Sequence, residues 1–324
     1  LLCGTGIFYS FKLRFPQVRH FGFAARYMFG GATLFGKKAD KTGMSSFQAL
    51  ATAVAAQVGT GNVAGTATAL VSGGPGALFW LWVAAFFGMA TIFAEAVLAQ
   101  TFKTTDEHGH VVGGPAYYIT RGMGPKFKPL AAFFSIAIII ALGCIGNMVQ
   151  SNSISKGMHT AFDIPLLVSG IVTAILAGLV FFGGVRRLAS VTEKLVPIMA
   201  AIYLLGGTYV ILCHIDLVGS AFELIFTAAF NPQAMAGGAL GLTVAKAMQF
   251  GVARGLFSNE AGMGSTPHAH AIAKVEHPAE QGLVAIFGVF TTVLVVTFTG
   301  IVILVTGVLD YQVTGIELTQ KAYN

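Results

Sequence analysis

An apolar stretch long enough to cross a bilayer runs from Ser46 to Val71, and Gln57-Val58-Gly59-Thr60-Gly61-Asn62 stands at its centre. Gly59 and Gly61 loosen a helix there, and Gln57, Thr60 and Asn62 are polar at the depth of a membrane midplane. A helix does not give up backbone hydrogen bonds in hydrocarbon unless something else takes them. A helix restarting after a break presents free amides near Thr60, Gly61 and Asn62, where the dipole favours an anion such as a carboxylate. The half that ends there leaves carbonyls free from about Ala55 to Val58, suited to a hard cation such as sodium, and the Asn62 side-chain oxygen adds a further ligand. The chemistry this predicts is the binding of a small charged solute together with an ion. A glycine-rich packing seam between helices would explain the glycines. It would not explain the clustered polar side chains, which are costly to bury without a purpose.

A second constellation follows at Phe250-Gly251-Val252-Ala253-Arg254-Gly255-Leu256-Phe257-Ser258-Asn259-Glu260-Ala261-Gly262. It combines glycines, polar groups and an apolar flank about one five-helix repeat after the first, as an inverted-repeat transporter requires. The plainer alternative is a helix end at the interface, with Arg254 and Glu260 paired. In Gly146-Asn147-Met148-Val149-Gln150 two amides stand three residues apart on one helix face. They suit either a solute or an interhelical hydrogen bond. Glu95 reads as an interfacial ion pair rather than a proton relay. Thr291, Thr292, Thr297 and Thr299 read as hydroxyls bonded to their own helix backbone. His268, His270 and His277 read as a solvated loop, because no His-Glu-x-x-His spacing accompanies them, and no Walker loop points to ATP.

These residues need apolar elements to hold them at depth. The chain is 55% hydrophobic and 10% charged, well below the quarter or so charged in a soluble domain, and its mean hydropathy is +0.76. The fold class predicted is all-α and polytopic. After a partial helix over 1–10 come full spans near 46–72, 76–100, 130–150, 164–184, 194–213, 234–258 and 282–307. An amphipathic or re-entrant helix is expected between 214 and 233. Cys3, Cys144 and Cys213 read as small core residues. The net charge of +6 does not call for nucleic acid, because the basic residues sort by side. Loops 11–45, 101–129, 185–194 and 254–281 hold sixteen of the nineteen Lys and Arg, and they alternate, which makes them cytoplasmic in a cell membrane.

The segments Ala55–Gly65, Gly73–Trp80, Gly113–Tyr118 and Gly251–Gly262 resemble the sodium:alanine/glycine symporters of bacteria and archaea, and the resemblance runs over the whole chain. It implies a LeuT-type inverted repeat, with a first repeat over about 46–213 and a second from about 234 to 324 in one transmembrane domain. It implies that Thr60 and Gly61 amides hold a substrate carboxylate. Carbonyls of Ala55, Gln57 and Val58 with the Asn62 side chain would hold sodium. Phe257, Ser258 and Asn259, with Asn147 and Gln150, would line a pocket for alanine or glycine. An uncoupled facilitator or channel, or a proton-coupled transporter of the same superfamily, is the alternative. No organic cofactor and no enzymatic step are expected, and the partners expected are a small neutral amino acid, sodium and lipid. The chain opens at Leu1 without Met and ends at Asn324, so a longer parent is expected, with the start of its first helix and its last three spans outside this chain.

Overall fold

The computed structural model describes residues 1–29, 57–231, 243–309 and 313–324. Ala55, the first part of the 46–72 span and the start of the 234–258 segment lie outside them. Helix α1 (Leu2–Lys12) and α2 (Phe21–Phe29) precede the broken element. After a bend at Val58-Gly59 the chain winds as a π-helix over Gly61–Gly65 and becomes α3 (Thr66–Gly73). The long helices α4 (Ala77–Thr101), α5 (Pro125–Phe162), α6 (Leu166–Phe181) and α7 (Gly184–Cys213) follow. Then come α8 (Val218–Phe230), α9 (Val244–Asn259), the short α10 (Pro267–Ile272), α11 (Pro278–Val305) and α12 (Ile316–Tyr323). Between α4 and α5 a two-residue antiparallel pair, Thr104–Thr105 with Val111–Val112, closes a small hairpin.

Among the described residues four helical stretches are long and apolar enough to cross a membrane: Ala77–Thr101, Pro125–Phe162, Ser190–Cys213 and Pro278–Val305. Leu166–Phe181, at the expected 164–184 span, is apolar but shorter. Two of the four are core. α4 is the hub against which α1, α8, α9, α10 and α11 all pack. Its Ala85, Met89 and Ile92 meet Ile286 and Val289 of α11, and Leu78 and Leu81 meet Val296 and Ile303. By contrast α5, α6 and α7 turn residues such as Ile139, Leu167 and Ile202 outward. A surface so apolar suits hydrocarbon rather than water. Cys144 and Cys213 lie exposed on these outer helices rather than in a core; their small apolar character fits lipid contact as well as it fits packing.

Close approach explains the glycines of α9. A Cβ on Gly251 would stand 2.3 Å from the Ala77 carbonyl oxygen, and one on Gly255 would stand 3.3 Å from that of Leu81. The Gly-x-x-x-Gly face thus lets α9 ride directly on α4, as small residues do between membrane helices. The hydroxyls of Thr291, Thr297 and Thr299 donate to carbonyls four residues back, as expected, and Thr292 to one three back. Thr297 also accepts the Trp82 indole N–H at 2.7 Å, tying α11 to α4.

The connection from α9 to α11 departs from a solvated loop. His270 is buried, with its Nδ1 2.9 Å from Gln281 Oε1. The Gln100 amide donates to the carbonyls of His270 and Ala273, and Lys103 donates to Gln100 Oε1 and to Ala273. Polar groups at the end of α4 therefore stitch α10 down. Burial pushes the His270 ring down to about 4, against the opposing hydrogen bond with Gln281. The unfolded chain takes up this proton near 6.5 and the folded one near 4, so the folded state loses stability as pH falls through that window.

Two outcomes are expected in thermal unfolding of the detergent-solubilised protein. Gly251→Ala lowers stability by about 1–3 kcal/mol, because the helix pair must separate, whereas Gly219→Ala, with open space around its Cβ position, leaves the midpoint unchanged. Between pH 6.5 and 4 the stability of the wild type relative to His270→Asn falls by on the order of 3 kcal/mol, the contribution of this one ring.

Candidate functional site

The site is built where the broken element meets the end of α9. Gln57 is the last described helical residue before the Val58-Gly59 bend, and Thr60 resumes helical geometry. Neither Gly59 nor Gly61 has a positive φ. Their neighbours nonetheless approach closely. A Cβ on Gly59 would lie 3.0 Å from Gln150 Nε2, and one on Gly61 3.2 Å from the Phe257 ring.

The groups freed by the bend find partners across the fold. Gln150 Oε1 of α5 accepts from the Thr60 N–H at 3.3 Å and from the Thr60 hydroxyl at 2.7 Å. One side-chain oxygen thus takes both the amide and the hydroxyl of Thr60. The Gln57 amide donates to the Asn259 carbonyl at 3.0 Å, joining the two breaks directly. Ser258 Oγ donates to Asn62 Oδ1 at 2.6 Å, and Asn259 Oδ1 accepts from the Ala261 N–H at 3.0 Å. Gln57, Asn62, Ser258 and Asn259 are all at most 2% exposed. Three of their atoms, Gln57 Oε1, Asn62 Nδ2 and Asn259 Nδ2, are buried without a partner. Leaving such groups unpaired is costly, and these three fall together at the meeting of the two breaks.

A small cavity of about 40 Å³ opens at this junction, lined by Gln57, Gly59, Gly61, Gln150, Phe257 and Glu260 among others. The structure therefore brings Gln57, Gly61, Gln150 and Phe257 to one cavity, with Thr60, Asn62, Ser258 and Asn259 in the hydrogen-bonded wall behind it. Val58 lies in the bend, and Ala55 lies outside the described residues. Asn147 is not brought in: it is exposed, and its amide donates to the Gly143 carbonyl of its own helix at 2.8 Å. Helical spacing put it beside Gln150, but only Gln150 reaches the bend.

Sequence reasoning missed Leu142, Met263 and Glu260 as cavity neighbours. Leu142 and Met263 left no polar signal. The alternative of an Arg254–Glu260 pair is not what the structure has: Glu260 Oε2 accepts from Ser265 Oγ at 2.5 Å. Glu95 is no interfacial ion pair either, since its Oε2 accepts from the Gly262 N–H at 3.0 Å and so holds the turn after α9. The described residues hold no group of His, Cys, Asp and Glu fit for a metal ion.

Apolar outer helices around a polar, helix-broken centre define a multi-pass membrane protein of the transporter class. The family profile for the sodium:alanine symporter family matches residues 1–324, and the chain belongs to that family, which is one of transporters rather than enzymes. An uncharacterized transporter of Haemophilus influenzae is 44% identical over 329 residues, covering 100% of this chain and 70% of its own length. The sodium/alanine symporter AgcS of Methanococcus maripaludis is 42% identical over 334 residues, covering 100% of this chain and 72% of itself. A Bacillus subtilis protein described as a putative sodium/proton-dependent alanine carrier is 42% identical over 313 residues, covering 96% of this chain and 62% of itself. The chain thus spans roughly two thirds of the length of these relatives.

The buried Ser258–Asn62 bond yields a checkable outcome. Ser258→Ala leaves Asn62 Oδ1 without its donor and costs about 1–3 kcal/mol in thermal unfolding. In a double-mutant cycle with Asn62→Ala the two losses fall short of additivity, because both remove the same contact.

Proposed function

We propose that this protein carries out secondary active symport of a small neutral amino acid, alanine or glycine, with sodium. The observation that carries the reading is the direct Gln57–Asn259 link between two helix interruptions, with a small polar cavity beside it. Broken helices facing each other offer amides to a carboxylate and carbonyls to a cation at one depth. The relatives described as alanine carriers support the substrate class.

In this reading the amides of Thr60 and Gly61 receive the substrate carboxylate, which displaces Gln150 Oε1 from Thr60. That exchange is favourable because a carboxylate is the stronger acceptor. Carbonyls of Ala55, Gln57 and Val58, with Asn62 Oδ1, bind sodium. Asn62 can do so while still accepting from Ser258, since an amide oxygen has two lone pairs. Phe257, Ser258, Asn259 and Gln150 bound a pocket kept small by ring and backbone, and we assign no contact there to Asn147. The inverted repeat of the LeuT type supplies alternating access by rocking one helix bundle against the rest. The basic loops lie on the cytoplasmic side of the cell membrane.

The test is alanine uptake by the full-length protein in proteoliposomes. Accumulation above equilibrium is expected only with an inward sodium gradient. Equilibration without sodium would assign a facilitator or channel instead, and accumulation driven by a proton gradient alone would assign proton coupling. Asn62→Ala is expected to raise the sodium concentration for half-maximal uptake on the order of tenfold, as loss of one ligand costing about 1.4 kcal/mol would. An unchanged sodium dependence removes Asn62 from the ligand set.

A further inference from the structure

Two carboxylates meet the turn that follows α9, and they are used differently. Glu95 takes the Gly262 amide. The other backbone groups of the turn are also occupied: Asn259 Oδ1 takes the Ala261 amide, and the Met263 amide goes to the Glu260 carbonyl at 3.1 Å. The turn is therefore held without the Glu260 side chain, apart from one hydroxyl, that of Ser265. No Lys, Arg or His among the described residues forms an ion pair with Glu260. Its backbone sits in the left-handed region, φ 55°, at a helix C-terminus where glycine or asparagine is the usual occupant. A glutamate kept in that conformation, without a cation, on the wall of a cavity points to a role for its charge. Among the described residues it is the one carboxylate lining a cavity whose other walls are amides, glycine backbone and apolar side chains.

We infer that Glu260 is the specificity determinant for a cationic head group on the solute, namely the α-ammonium of the amino acid. This rests on the amino-acid reading of the same site. The solute would then lie between the Thr60–Gly61 amides, which take its carboxylate, and Glu260, which takes its ammonium. A carboxylate facing an ammonium at close range, partly withdrawn from water, discriminates strongly against the same molecule with a hydroxyl in that place, because the analogue leaves the charge unpaired.

The experiment compares L-alanine with L-lactate, its hydroxyl analogue, as competitors of alanine uptake by the full-length protein in proteoliposomes, in wild type, Glu260→Gln and Ser265→Ala. Wild-type uptake of alanine comes first, since its absence would remove the amino-acid reading itself. Given that uptake, Glu260→Gln is expected to raise the half-saturating alanine concentration on the order of tenfold or more. It should narrow the preference for alanine over lactate and leave the sodium concentration for half-maximal uptake in place. Ser265→Ala, which keeps the charge, should retain the preference. Should Glu260→Gln abolish uptake, thermal stabilisation by each ligand in detergent replaces it as the readout. An unchanged preference in Glu260→Gln overturns the inference. A shift confined to the sodium dependence overturns it too, by moving Glu260 to the ion.

Discussion

Everything at the centre of this protein follows from the cost of an interrupted helix in apolar surroundings. The Val58-Gly59 bend strips backbone groups of their helical partners, and hydrocarbon offers none in return. The freed Thr60 amide is met by Gln150 from α5. Side chains then tie the bend to α9: Ser258 donates to the Asn62 side chain, and the Gln57 amide reaches across to the Asn259 carbonyl. The contacts span some ninety to two hundred positions in sequence, so the bend persists only while α5 and α9 stay where they are. Helix interruption and tertiary packing are in this sense one structure.

The packing that fixes α9 is done by absence of side chains. Gly251 and Gly255 let it settle on α4 at backbone distance, and without a hydrophobic drive between helices in lipid that close fit is what holds them. α4 then acts at both ends. It seats α9 along its length, anchors the following turn through Glu95, and pins α10 through Gln100 and Lys103. A polar group at each of these places is satisfied by the connection that must be kept close to the site. Atoms of Gln57, Asn62 and Asn259 at the junction of the two breaks stay unsatisfied, as do the far nitrogens of His270 and Gln281 beside α10.

Much of this was legible in the residues. Glycines bracketing Thr60 inside an apolar span announce a break, because few other causes put Gln, Thr and Asn together at that depth. The threonines of α11 bond to their own backbone as their type and setting require. Other elements were misread for identifiable reasons. His270 sits among polar neighbours in sequence, yet Gln100 and Gln281 bury it. Asn147 is one turn from Gln150 and still faces outward, bonded within its own helix. Glu260 and Glu95 carry charges that local reasoning assigns to ion pairs, whereas one is met by a hydroxyl and the other by a backbone amide.

The sequence by itself determined the membrane character, the helices near 76–100, 194–213 and 282–307, and the bend at Val58-Gly59. Those depend on composition and on local backbone chemistry, which short windows of residues contain. Only the tertiary structure decided which side chain answers the freed Thr60 amide, which side chains crowd Gly59 and Gly61, and which carboxylate lines the cavity. Those outcomes depend on distances between helices far apart in the chain, and side-chain type alone does not encode them.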